Sequence, residues 1–85
     1  MVTAIVLIKA DVARIPETAE EIAKIAAVSE VYSVTGEFDL VATVRANEHD
    51  ELADIVTHGI AKLDGIKRTH TLVAFRSFRA ADYDW

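Results

Sequence analysis

The chain contains no cysteine, so neither a disulfide nor a thiolate-bound metal can hold it together. It is also short of positive charge. Nine Lys and Arg stand against fourteen Asp and Glu, a net charge of −5, which argues against an electrostatic footprint on nucleic acid or anionic lipid. Long apolar runs are missing too. The opening stretch from Val2 to Ile8 is too short to span a bilayer and has no basic leader of a secretory signal. The expectation is a cytoplasmic protein with no membrane partner. There is no G-x-S-x-G elbow, no phosphate-binding glycine loop and no cysteine nucleophile, so no catalytic residue, cofactor or enzymatic activity is expected. His49, His58 and His70 follow no tight ligand spacing, and no metal site is expected from them.

What remains is one small domain. Eighty-five residues with 52% hydrophobic and 27% charged side chains are globular in composition and leave no room for two domains. A chain this size buries only somewhat over ~60% of its unfolded surface, so association would help it. The pattern divides it into a domain over residues 1–79 and a tail over 80–85.

Val2 to Ala10 is a β-branched apolar run of strand length. Pro16 suits a helix start, and Thr18 with Glu21 makes an S/T-x-x-E capping pattern, so a helix is predicted over about 17–28. Val31 to Gly36 and Phe38 to Ala46 read as a hairpin with a three-residue step, Gly36 supplying the unusual backbone angle. Asn47 is a candidate N-cap. Leu52, Ile55, Val56, Gly59, Ile60 and Leu63 then repeat at helical spacing. Gly65 closes that helix, and Ile66 to Arg79 is read as a long final strand. The order β-α-β-β-α-β predicts a ferredoxin-like α+β sandwich: a four-stranded antiparallel sheet with two helices on one face.

Two helices cover one face of such a sheet, and the other face should then turn polar. It does not do so cleanly, because Ile5 and Leu7 oppose Val6 and Ile8, Val41 opposes Leu40 and Ala42, and Leu72 opposes Val73. A second copy related by a two-fold axis is the expected cover. The alternative is shielding by the tail through Tyr83 and Trp85.

The turn Gly36-Glu37-Phe38-Asp39 carries more chemistry than a hairpin needs. Glu37 or Asp39 could pair with an ammonium, backbone N–H groups around Gly36 could receive a carboxylate, and Phe38 could form an apolar wall. Thr69 and Thr71 share one face of the last strand and offer hydroxyls. His70, between them, is expected on the opposite face. Solvated turn carboxylates and ordinary strand threonines would look the same from residue types alone.

The run V-Y-S-V-T-G-E-F-D-L-V, an amphipathic helix, and then L-D-G-I-K-R-T-H-T-L-V-A-F resembles the effector-binding domain of the Lrp/AsnC (feast–famine) transcriptional regulators over about residues 2–79. The resemblance implies dimers through sheet packing, their further assembly into tetramers of dimers, and amino acids or related metabolites bound in clefts between dimers. It places the effector against Val34, Thr35, Gly36, Glu37, Phe38 and Asp39, with Thr69 and Thr71 close by. The family's N-terminal helix-turn-helix has no counterpart before the first strand. The resemblance is therefore to the stand-alone form, which implies no direct DNA binding and an influence on transcription only by co-assembly with a full-length regulator. A small dimeric ferredoxin-like monooxygenase or isomerase is the alternative from another class, and a purely structural oligomerisation domain is a third.

Overall fold

The computed structural model describes residues 1–80. Its strands are β1 (Val2–Ala10), β2 (Val28–Ser33), β3 (Leu40–Ala46) and β4 (Ile66–Val73). The helices are α1 (Ile15–Ala23), entered through a 3-10 turn at Val12–Arg14, and α2 (His49–Asp54), which continues as a π-helical stretch over Ile55–Ile60. The sheet runs β2-β3-β1-β4, and every pairing within it is antiparallel. This is the ferredoxin-like α+β order that the sequence predicts.

Register explains which side chains meet. Ala4, Val6 and Ile8 of β1 stand opposite Val44, Ala42 and Leu40 of β3 and opposite Val73, Thr71 and Thr69 of β4. Directly paired residues of a sheet share a face, so this whole set points toward the helices. There Ile22, Leu52 and Ile60 close the core over Val6, Ile8, Leu40 and Val44, all of them buried. Each such side chain removed from water contributes about 1.5–3 kcal/mol. The intervening residues Ile5, Leu7, Val41 and Leu72 face the other way. On that side no helix among the described residues lies over them, and Ile5, Tyr32 and Leu72 are 38%, 48% and 45% exposed.

Several boundaries differ from the sequence reading. The helix α1 begins at Ile15 and stops at Ala23 rather than reaching 28. Its last turn tightens through bonds from Ile25 N to Ile22 O and from Val28 N to Ile25 O. That turn delivers Val28 to its partner Val44, so β2 starts three residues earlier than expected and ends at Ser33. Consequently the hairpin connection is not a three-residue step but the six residues 34–39. The capping pattern at Thr18 is not used. Thr18 lies inside α1, buried, and its hydroxyl has no hydrogen-bond partner among the described residues. Asp11 does the capping instead, accepting from Ala13 N at the entrance of the 3-10 turn.

At α2 the residue in the N-cap position is Glu48, not Asn47, and no side chain caps it. Asn47 N–H is nevertheless satisfied, by Glu51. The second half of this helix is wound wider, with Ala61 N reaching back to Val56 O. Ile55, Val56 and Thr57 are three β-branched residues in succession, a run that crowds the ordinary α-helical turn. Finally, β4 ends at Val73 rather than Arg79. The suggestion that Tyr83 and Trp85 cover the open sheet face lies outside the described residues.

Candidate functional site

The loop over residues 34–39 leaves β2 and returns to β3 at one end of the open face. Gly36 lets it turn, with φ at +111°, a conformation that side chains with a Cβ resist. Val34 N donates to Asp39 O at 3.0 Å and closes the loop, while Asp39 N donates to Ile8 O at 2.9 Å and fastens it to β1. The Asp39 carboxylate adds a third tie. It accepts from Ala10 N at 2.9 Å, where the register of β1 against β4 shifts, and it lies 3.7 Å from Lys9 Nζ. With its side chain only 15% exposed, Asp39 is an anchor of the loop.

Glu37 and Phe38 are what this anchored loop presents. With Leu7 of β1 and Arg68, Thr69 and His70 of β4 they line an open cavity of about 290 Å³. The Arg68 guanidinium lies over the Phe38 ring, 5.3 Å from its centre, and Arg68 Nη2 reaches Glu37 Oε1 at 3.4 Å. The His70 ring is tilted against the same phenyl, with centroids 6.3 Å apart. His70 stands opposite Leu7 in the register and Arg68 opposite Lys9, which puts both on the open face. Farther along that face the Tyr32 phenol is held above its ordinary pKa, chiefly by the hydrogen bond it donates to Glu30, with desolvation and the Glu30 charge adding to it.

Of the residues that the sequence marks for a site, the structure thus brings Glu37, Phe38 and Thr69 to one cavity. Val34, Thr35 and Gly36 form the far limb of the loop and do not line it. Asp39 sits beneath the loop with its carboxylate occupied. Thr71 faces the helices, where it lines a different cavity of about 350 Å³ with His49, Leu52, Ala53, Val56, Thr57 and Val73. Leu7, Arg68 and His70 belong to the open-face cavity, and the sequence reading of the site did not include them. Strand parity alone separates Arg68 and His70 from the two threonines. Their meeting with Phe38 depends on a loop geometry that sequence spacing does not give. The three histidines are not gathered, and among the described residues no group of three or more His, Cys, Asp or Glu could hold a metal ion.

Comparison with known proteins agrees with this architecture. The family model described as the Lrp/AsnC ligand binding domain matches residues 3–82. An uncharacterised HTH-type transcriptional regulator of Pyrococcus horikoshii is 42% identical over 59 residues, covering 69% of this chain and 39% of that regulator. The chain spans about half the length, or less, of the curated relatives it matches. Among solved structures, a protein of Thermus thermophilus superimposes with a TM-score of 0.87 at 51% identity, over 93% of this chain and 99% of the other. A transcriptional regulator of Neisseria meningitidis, solved as a complex with L-Met, shares the fold with a TM-score of 0.83 at 15% identity, over 92% of this chain and 52% of that one.

Proposed function

Since the chain belongs to the Lrp/AsnC ligand-binding family, we propose that it is a non-enzymatic cytoplasmic sensing domain that binds an amino acid or a related small metabolite. The observation that carries this reading is the cavity beside the 34–39 loop, where one carboxylate, one guanidinium and an aromatic ring converge. The Neisseria regulator's complex with L-Met supports the ligand class. In this reading Glu37 and Phe38 contact the effector, Thr69 borders the cavity from β4 with its side chain turned toward the helices, Val34, Thr35 and Gly36 shape the loop, and Asp39 fixes its position. Thr71 lies across the sheet and would contribute through the helix side.

The cavity opens on the same face that leaves Ile5, Tyr32 and Leu72 exposed. Two such faces packed against each other remove that apolar surface from water. The effector cleft then lies at the border of the pair, where further pairs add to form a tetramer of dimers. A ligand held by more than one subunit stabilises the assembled form by mass action. Co-assembly with a full-length regulator of the same family is the route by which occupancy reaches transcription.

The test combines light-scattering size exclusion with a thermal-shift screen of the twenty amino acids at millimolar concentration. At about a hundred times the Kd, a ligand adds roughly 2.7 kcal/mol. For a domain of this size that is on the order of ten degrees or more in Tm. A monomer that responds to none of the twenty would refute the proposal.

A further inference from the structure

We infer that Glu37 and Arg68 form the two poles of a zwitterion receptor, and that its ligand is an α-amino acid with an uncharged, apolar side chain. This deepens the sensing reading above and rests on it. The inference starts from which charges near the loop are available. Asp39 and Lys9 face each other at 3.7 Å, and Asp39 also holds Ala10 N–H. A ligand ammonium at Asp39 would have to displace a bond that fastens the loop. Glu37 carries no such duty. Its side chain pairs with Arg68 at 3.4 Å, and the two side chains are 77% and 59% exposed.

That contact is longer than the roughly 2.7–2.9 Å of a strong charge-assisted bond, and exposed pairs of this kind hold weakly. Splitting it costs little. When Glu37 moves, the Arg68 guanidinium keeps a second contact, 5.3 Å from the centre of the Phe38 ring, where weak cation–π attraction biases it toward the cavity. An arginine beside an aromatic face in the cavity wall suits a carboxylate, which a guanidinium can take in bidentate fashion.

An α-amino acid bears an ammonium and a carboxylate on one carbon. Inserted between the poles, it gives Glu37 an ammonium and Arg68 a carboxylate, and the charge of the site is unchanged. A 2-oxo acid satisfies Arg68 but sets its carboxylate beside an unpaired Glu37. A primary amine does the reverse. Among the described residues the rest of the cavity wall is Leu7, the Phe38 ring, Thr69 and His70, with no further acidic, Lys or Arg side chain to receive a charged ligand side chain. Apolar, uncharged ligand side chains fit that wall.

Calorimetric titration of the intact chain tests this with L-leucine, L-methionine and L-phenylalanine. The two half-ligands of leucine, 4-methyl-2-oxopentanoate and 3-methylbutylamine, are run beside them, together with L-glutamate and L-lysine. At least one apolar amino acid should bind, with both half-ligands and both charged amino acids about tenfold weaker or worse. Arg68→Gln and Glu37→Gln should each weaken that amino acid about tenfold. Arg68→Lys, which keeps the charge and loses the fork, should fall between Arg68→Gln and the wild type. Circular dichroism and melting of the variants check the fold, which these exposed side chains do not support. Unchanged affinity in both Gln variants would overturn the receptor while leaving amino-acid sensing in place. Preference for glutamate or lysine would overturn the ligand class. Failure of the wild type to bind any of the three apolar amino acids would overturn the receptor; failure with all twenty in the thermal-shift screen would overturn the sensing proposal with it.

Discussion

Replacing Asp39 by alanine removes the side-chain bond that fastens the 34–39 loop to β1. The Asp39 carboxylate accepts from Ala10 N at 2.9 Å, and Ala10 is fully buried. Its N–H would be left without that partner. A hydrogen bond to a charged group contributes about 1.5–3 kcal/mol, and an unsatisfied buried donor costs a similar amount. The Lys9 contact at 3.7 Å is half-exposed and adds about 0–1 kcal/mol. Asp39→Ala should therefore destabilise by about 2–3 kcal/mol, or roughly 8–20 °C in Tm for a domain of this size. Asp39→Asn keeps an acceptor oxygen without the charge and should lose about half as much. Lys9→Ala should shift the melting temperature by only a few degrees. The measurement is thermal melting at one fixed protomer concentration, because association makes Tm concentration-dependent. An Asp39→Ala variant that melts with the wild type would show that this carboxylate does not anchor the loop. It would then return to the pool of groups free to bind a ligand.

Three other substitutions probe the face, a turn and a buried hydroxyl. Leu72 is on the open face and 45% exposed, so Leu72→Glu should leave the protomer folded but shift light-scattering size exclusion toward monomer; unchanged assembly would refute packing through this face. Gly65 has φ at +90°, and a Cβ there would lie 2.7 Å from Thr18 Oγ1. Gly65→Ala should cost about 2–4 kcal/mol from backbone strain and overpacking together, read by urea denaturation. Thr18→Ala removes a buried hydroxyl that has no partner among the described residues together with a buried methyl; the two effects oppose each other, and the variant should stay within about 1 kcal/mol of the wild type. In that background the penalty of Gly65→Ala should fall by about 1–2 kcal/mol, and strict additivity would refute the clash.

The fold was legible because its signals are periodic. The β-branched apolar runs of β1 and β3 report strands and the apolar stripe of the second helix reports a face, and together these determine which layers stack. Boundaries were less legible because tertiary pairing decides them. Val28 joins a strand because Val44 needs a partner, although Ile25, Ala26 and Ala27 read as helix formers or core. The capping pattern at Thr18 failed for a related reason. Asp11 sits where the chain leaves β1, and it captures the helix entrance before Thr18 is reached. At the site, Glu37 and Phe38 could be found from the turn they occupy, since neither is required by its backbone. Arg68 and His70 could not, because nothing local to them differs from other polar residues of an edge strand. Only the register that sets Lys9 opposite Arg68 and Leu7 opposite His70 brings them to the loop.

That register also separates two roles that the turn's composition merges. Asp39 and Glu37 are two residues apart, both acidic, and equivalent by residue type. Asp39 falls where the loop meets β1, its backbone already bonded to Ile8 O, and its carboxylate lies within reach of Ala10 N. Glu37 falls at the tip, facing an arginine that is itself stacked on the intervening phenyl ring. The charge that steadies the loop is thereby kept apart from the charge that a ligand can claim. Under the sensing proposal the loop needs this separation. If one carboxylate served both purposes, each ligand arrival would unfasten the wall against which it binds, and the ordering cost would be subtracted from affinity. Rigid presentation from Asp39 and adaptable pairing at Glu37 predict that Asp39→Asn and Glu37→Gln, isosteric losses of one charge each, will have opposite signatures. The first should lower Tm and change ligand affinity little once the chain is folded. The second should leave Tm in place and weaken the ligand. Equal effects of the two variants on both measurements would refute the division.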